Sequence, residues 1–182
     1  MKFYKPEIKD LFKSWIAISL VFSIANGLTL EALLFSTILV GAAFIVHELA
    51  HKYVAQKYGM IAYFKSFDNM LIFSVILSLL GLILIAPGAV MIRSYGDKIR
   101  MGRISAAGPF SNIILGLIFS VVYFFFRVPF FSYGIMINAW LALFNMIPFL
   151  MFDGKKILNW NKKVYLSLLI SSLVLLFSIG FY

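Results

Sequence analysis

No cysteine occurs in the 182 residues of this chain. Disulfides and thiolate metal sites are therefore excluded. Charge is scarce as well. Charged residues make up 13% of the chain, against about 25% in an average soluble domain. Only seven side chains are acidic, against sixteen basic, and histidine occurs twice. No linker, internal repeat or low-complexity tract divides the sequence, so residues 1–182 read as a single domain. What the chain has in quantity is apolar surface, 63% of its residues. Six apolar segments can be drawn, at about 12–28, 33–55, 69–92, 104–126, 132–150 and 164–181. Runs of this length identify a helical, multi-pass membrane protein whose first partner is the lipid bilayer.

The net charge of +9 raises the question of nucleic acid. The basic residues, however, flank the apolar runs, as the positive-inside rule produces, so no nucleic-acid partner is expected. Lysines before the first apolar run resemble a signal peptide, but no small-x-small cleavage site follows. A retained first span is expected.

Those lysines and arginines also report on topology. If all six segments cross, the sixteen basic residues divide eight and eight between the two sides. If the third segment dips in and returns, fifteen lie on the side of the amino terminus and Arg127 alone lies opposite. The positive-inside rule prefers the second arrangement: five spanning helices plus a re-entrant helix and strand, with the amino terminus cytoplasmic. The third segment itself carries Gly81 and Ala86-Pro87-Gly88-Ala89, which break a helix. Leu82 to Ile85 and Val90 to Ile92 are short enough to run extended. Non-helical backbone at membrane depth is tolerated only where it lines a covered or hydrated site.

The two histidines stand four residues apart, as His47-Glu48-Leu49-Ala50-His51, in the second apolar segment. On a helix this spacing projects both imidazoles from one face, about 6 Å apart, and HExxH is a zinc-protease signature. Two ring nitrogens can share one zinc, with Glu48 beside them as general base. Ionisable side chains within membrane spans are functional by default.

A catalytic zinc takes three protein ligands and keeps one open position. With no cysteine and no third histidine, the third must be a carboxylate. Glu7 and Asp10 lie among lysines and read as solvated charge. Glu31 is at the far end of the second helix. Asp68 and Asp97 lie among polar loop residues. Asp153 follows Pro148 and an apolar run and precedes Gly154. In the five-span arrangement it lies at the depth of the histidines; with six spans it would lie about 30 Å away. His47, His51 and Asp153 are therefore the expected ligands of one Zn2+.

At this point the chain resembles the site-2 proteases, the intramembrane zinc metalloproteases. Their HExxH is matched by His47, Glu48 and His51, and their NxxPxxxxDG by Asn145, Pro148, Asp153 and Gly154. Ala107 to Asn112 resembles the AGPxxN element that opens the middle core helix. The resemblance covers about residues 33–157, without a PDZ or nucleotide-sensing domain. It implies hydrolysis of a peptide bond in or near the transmembrane segment of a membrane-anchored protein, with the active site toward the cytoplasm. It also implies that Asn112 and Asn145 help hold substrate or an oxyanion. Taken alone, Gly108-Pro109 would mark a helix start, and Asn112, Asn138 and Asn145 would be interhelical hydrogen bonds. The aromatic residues read as lipid anchors or packing, and the loop lysines as orientation signals. The rival function is a small metal-ion or proton transporter using His47, Glu48 and Asp153. No internal inverted repeat favours it.

Overall fold

A computed structural model describes residues 1–82, 87–93, 97–149 and 152–178. Among them are seven helices and two strands, in the order α1 (Lys5–Ala25), α2 (Leu30–Lys57), β1 (Ala62–Ser66), α3 (Asp68–Leu79), β2 (Gly88–Ile92), α4 (Lys98–Phe126), α5 (Pro129–Asn145), α6 (Asp153–Trp160) and α7 (Lys162–Ser178).

Local chemistry sets the boundaries. Thr29 caps α2 by accepting from the Ala32 amide at 3.1 Å, and Asp97 caps α4 by accepting from Arg100 at 2.7 Å. Both satisfy N–H groups that a helix start leaves open. Arg127 adopts a left-handed φ of 53°, and Pro129 opens α5 two residues later, so α4 and α5 form a tight hairpin. Within α2 the turn Ser36–Val40 is π-helical. There Thr37 offers its carbonyl to the Trp15 indole at 2.8 Å, so Trp15 joins α1 to α2.

Among the described residues two helices, α2 and α4, are long and apolar enough to cross a membrane. Their 28 and 29 residues correspond to about 42–44 Å at 1.5 Å per residue. The outer face of α4 is exposed and apolar from Phe110 to Phe126. By contrast, α5 and α7 have 17 described residues each, and α1 carries five charges between Lys5 and Lys13.

The expected helix start at Gly108-Pro109 is not observed. Helix α4 begins at Lys98 and runs through Pro109. Asp97 supplies the start, and the proline sits inside, where its missing N–H leaves one carbonyl of the preceding turn without its helical partner.

The third apolar segment divides into α3 and β2, with Gly81 in the left-handed region between them (φ 77°). Of the expected extended runs, Val90 to Ile92 lies in β2; Leu82 to Ile85 falls largely outside the described residues. Strand β1, which the sequence did not signal, pairs antiparallel with β2, from Ala62 opposite Ile92 to Ser66 opposite Gly88. The Phe67 amide extends the ladder to the Pro87 carbonyl at 3.1 Å. The chain therefore leaves the sheet for α3 and returns to it at one place.

One apolar cluster joins α1, α2, β1 and α5 through Leu11, Val40, Phe44, Phe64 and Ile137. A second joins α4 to α7 through Ile113, Met146, Ile157 and Leu168. Gly154 packs so closely on the Met146 backbone that a Cβ there would collide with its carbonyl. That closeness lets the chain turn directly after α5 and bring α6 back toward α2.

Glu7 and Asp10 are not solvated charges. Glu7 is 1% exposed and Asp10 half-buried, because Glu7 meets polar partners on β1 and α2 and Asp10 meets Ser66 on β1 and Lys13 on its own helix. Lys52 likewise is no loop signal: it is fully buried, its ammonium 2.6 Å from both Glu7 oxygens.

Candidate metal centre

His47 and His51 project from one face of α2, as i, i+4 spacing requires. Their Nε2 atoms lie 3.0 Å apart. Asp153, the first residue of α6, brings Oδ2 to 3.0 Å from His51 Nε2 and 3.4 Å from His47 Nε2. All three residues are buried.

The other nitrogen of each ring faces an acceptor. His47 Nδ1 is 2.5 Å from Asn112 Oδ1, and His51 Nδ1 is 2.7 Å from the Ile104 carbonyl. The Asn112 amide is oriented by its own donors, to the Ala43 carbonyl and Asn138 Oδ1, both at 3.1 Å. Asn138 in turn donates to Gly134 at 2.9 Å. Both Nδ1 atoms therefore donate their protons, and two Nε2 lone pairs face each other and a carboxylate. Three converging acceptors repel unless a cation or added protons sit between them. Zinc bonds of about 2.0–2.2 Å in tetrahedral array place ligand atoms roughly 3.3–3.6 Å apart; the observed 3.4 Å matches that spacing and the two separations of 3.0 Å lie slightly inside it.

Gly108 on α4 completes the cradle. A Cβ at that position would collide with both Nε2 atoms. The open volume at the ligand tips thus depends on a missing side chain. Four residues on, Asn112 lies on the same helix face, and that pairing is the one sequence signal that could have identified Gly108.

Glu48 is buried, and its Oε2 has no hydrogen-bond partner among the described residues. The Val90 backbone N–H faces this carboxylate. Alternation along the sheet explains why. Phe64 and Ser66 amides point away from β2, to Glu7 and Asp10, so the odd-numbered residues of β1 make the ladder bonds. By the register, Gly88, Val90 and Ile92 turn their backbone groups outward from the sheet. The open edge of β2 therefore looks toward Glu48.

Asn145 makes no hydrogen bond to this group among the described residues; its amide donates to the Leu141 carbonyl of its own helix at 2.9 Å. Asn112 meets the centre through a histidine rather than through open space. Sequence reasoning missed the Ile104 carbonyl altogether, because backbone acceptors carry no residue signal.

Two imidazoles and a carboxylate in one helical cradle could hold a metal ion, and a second carboxylate stands beside them, the donor set that hydrolytic metal centres use. Comparison with known proteins agrees. The chain is 39% identical over 171 residues to a Methanocaldococcus jannaschii protein named "Putative zinc metalloprotease MJ0611", covering 90% of this chain and 89% of that one. It is 29% identical over 158 residues to "Zinc metalloprotease MJ0392" of the same organism, covering 84% of this chain but 41% of that protein. No family model matches, and no solved structure matches. The chain belongs to the zinc metalloprotease family of these relatives.

Proposed function

We propose that this protein is an intramembrane protease of the site-2 type, cutting a membrane-anchored substrate within or beside its transmembrane segment. The observation that carries the reading is the meeting of His47, His51 and Asp153 beside the unpartnered Glu48 oxygen, on helices with apolar outer faces. His47, His51 and Asp153 would hold one zinc. When bound, the ion polarises the scissile carbonyl and lowers the pKa of its water toward about 7. Glu48 accepts the water proton and later delivers it to the leaving amine. Asn112 holds the His47 ring in its ligating tautomer. The open edge of β2 pairs with an unwound stretch of substrate, whose backbone a helix would otherwise hide.

Five spanning helices with a cytoplasmic amino terminus complete the proposal. The pairing of Ser66 with Gly88 supports it, since both ends of the third segment meet at one place. Cysteine labelling should find position 98 reachable from the cytoplasmic side; labelling from outside would break this topology.

The decisive experiment combines metal analysis with cleavage of a single-span substrate. Wild type should carry one zinc and cut, and a chelator should stop it. Glu48→Gln should keep the zinc and fail to cut. Zinc transport into vesicles without any cleavage would point to a transporter instead.

A further inference from the structure

The first half of α1 carries a polar face that the proposed chemistry does not use. Glu7, Asp10 and Ser14 are spaced three and four residues apart and so share one side of the helix. Glu7 Oε1 accepts from the Phe64 amide at 3.0 Å, Asp10 Oδ2 from Ser66 at 3.3 Å, and Ser14 Oγ donates to the Pro87 carbonyl at 3.1 Å. The first two contacts cover the outer edge of β1, which would otherwise present unpaired backbone groups, and the third holds the residue that leads into β2.

Glu7 does more than cover an edge. The same carboxylate meets Lys52 through both oxygens at 2.6 Å, and Lys52 directly follows His51. Both side chains of the pair are fully buried. Stability does not account for such a pair, because apolar residues of similar size often serve as well or better in its place. What an apolar pair cannot do is accept a hydrogen bond from Phe64. A chain of contacts runs from α2 through Lys52 and Glu7 to Phe64, across the register to Val90, and back to Glu48 on α2.

We propose that Glu7 is a positioning residue: it ties β1 to the metal-binding helix, so that the open edge of β2 stands in one register against Glu48. This rests on the protease reading, in which that edge holds the substrate. The role is to select which bond reaches the zinc, not to take part in chemistry.

The test uses the full-length, zinc-loaded protein in vesicles and two double variants that leave no unpaired buried charge. Glu7→Gln with Lys52→Met keeps an acceptor for Phe64; Glu7→Leu with Lys52→Met removes it. Metal content should remain one zinc per chain in both. In the Leu double, amide exchange across residues 62–66 and 88–92 should speed up by about ten- to a hundred-fold, the scale of one lost hydrogen bond to a charged group. Mass spectrometry of the products should show cuts scattered over neighbouring bonds. The Gln double should restore the wild-type bond and much of the protection. Wild-type exchange and a single wild-type cut in the Leu double would overturn the proposal, as would faster exchange spread evenly over α2 and α4. If the Leu double does not fold, scattered cuts by the Gln double would overturn it equally. Should wild type cut nothing, the protease reading fails, while the exchange comparison still decides whether Glu7 ties the sheet.

Discussion

The metal cradle and the two-stranded sheet face each other across Glu48, yet they are secured differently. At the cradle, the groups that orient the histidines come from helix interiors: an asparagine held by two further acceptors, a backbone carbonyl, and a glycine whose missing side chain leaves the room. At the sheet, the outer edge is held from outside by side chains of α1. The first arrangement orients a few ring nitrogens through their neighbours, as ligation of a metal would need. The second holds the backbone of a strand edge, which is what the proposed pairing with an extended peptide would need.

Substitutions can break this division of labour, and the largest effects belong to the cradle. Asp153→Ala should abolish stoichiometric zinc, measured by atomic absorption, and all cleavage with it. Glu48→Gln should leave zinc at one per chain while turnover falls by about 10²- to 10⁴-fold, the usual worth of a general base. Gly108→Ala should deplete zinc without unfolding the protein, since its methyl group would collide with both Nε2 atoms; retained stoichiometric zinc would show that the cradle can widen. Asn112→Ala should weaken zinc or turnover by about 10- to 100-fold, as loss of a group orienting a ligand does. Asn145→Ala should leave zinc content unchanged, because its amide serves its own helix. A strong loss of turnover at Asn145 with zinc intact would instead give it a role in substrate binding.

Much of the cradle could be read in the sequence because its ligands are rare. Two histidines four apart need no tertiary knowledge to share a helix face, and a chain so poor in carboxylates leaves few candidates beside them; the structure brings Asp153 to the pair, although solvation, the ground for setting Glu7 and Asp10 aside, does not hold. The sheet could not be read in the same way. Ala62 to Ser66 carries no long alternation, and its strand forms because β2 offers one edge and α1 covers the other. The same gap hid Glu7. Beside lysines in sequence it looks solvated, whereas in space it meets Lys52, 45 residues away, with nothing between them and the interior. Only the three-and-four spacing of Glu7, Asp10 and Ser14 hinted at a face with partners.

By itself the sequence determined the apolar, helical character of the protein, the face on which the two histidines lie, and the scarcity that singles out Asp153. These follow from composition and from the 3.6-residue turn, which act locally. Tertiary structure alone decided which nitrogen of each histidine points inward, where α4 begins, that Gly108 must lack a side chain, and that Glu7 and Lys52 are buried against each other. Each of these depends on which groups from distant parts of the chain end up within hydrogen-bonding or van der Waals reach, and no local rule carries that information.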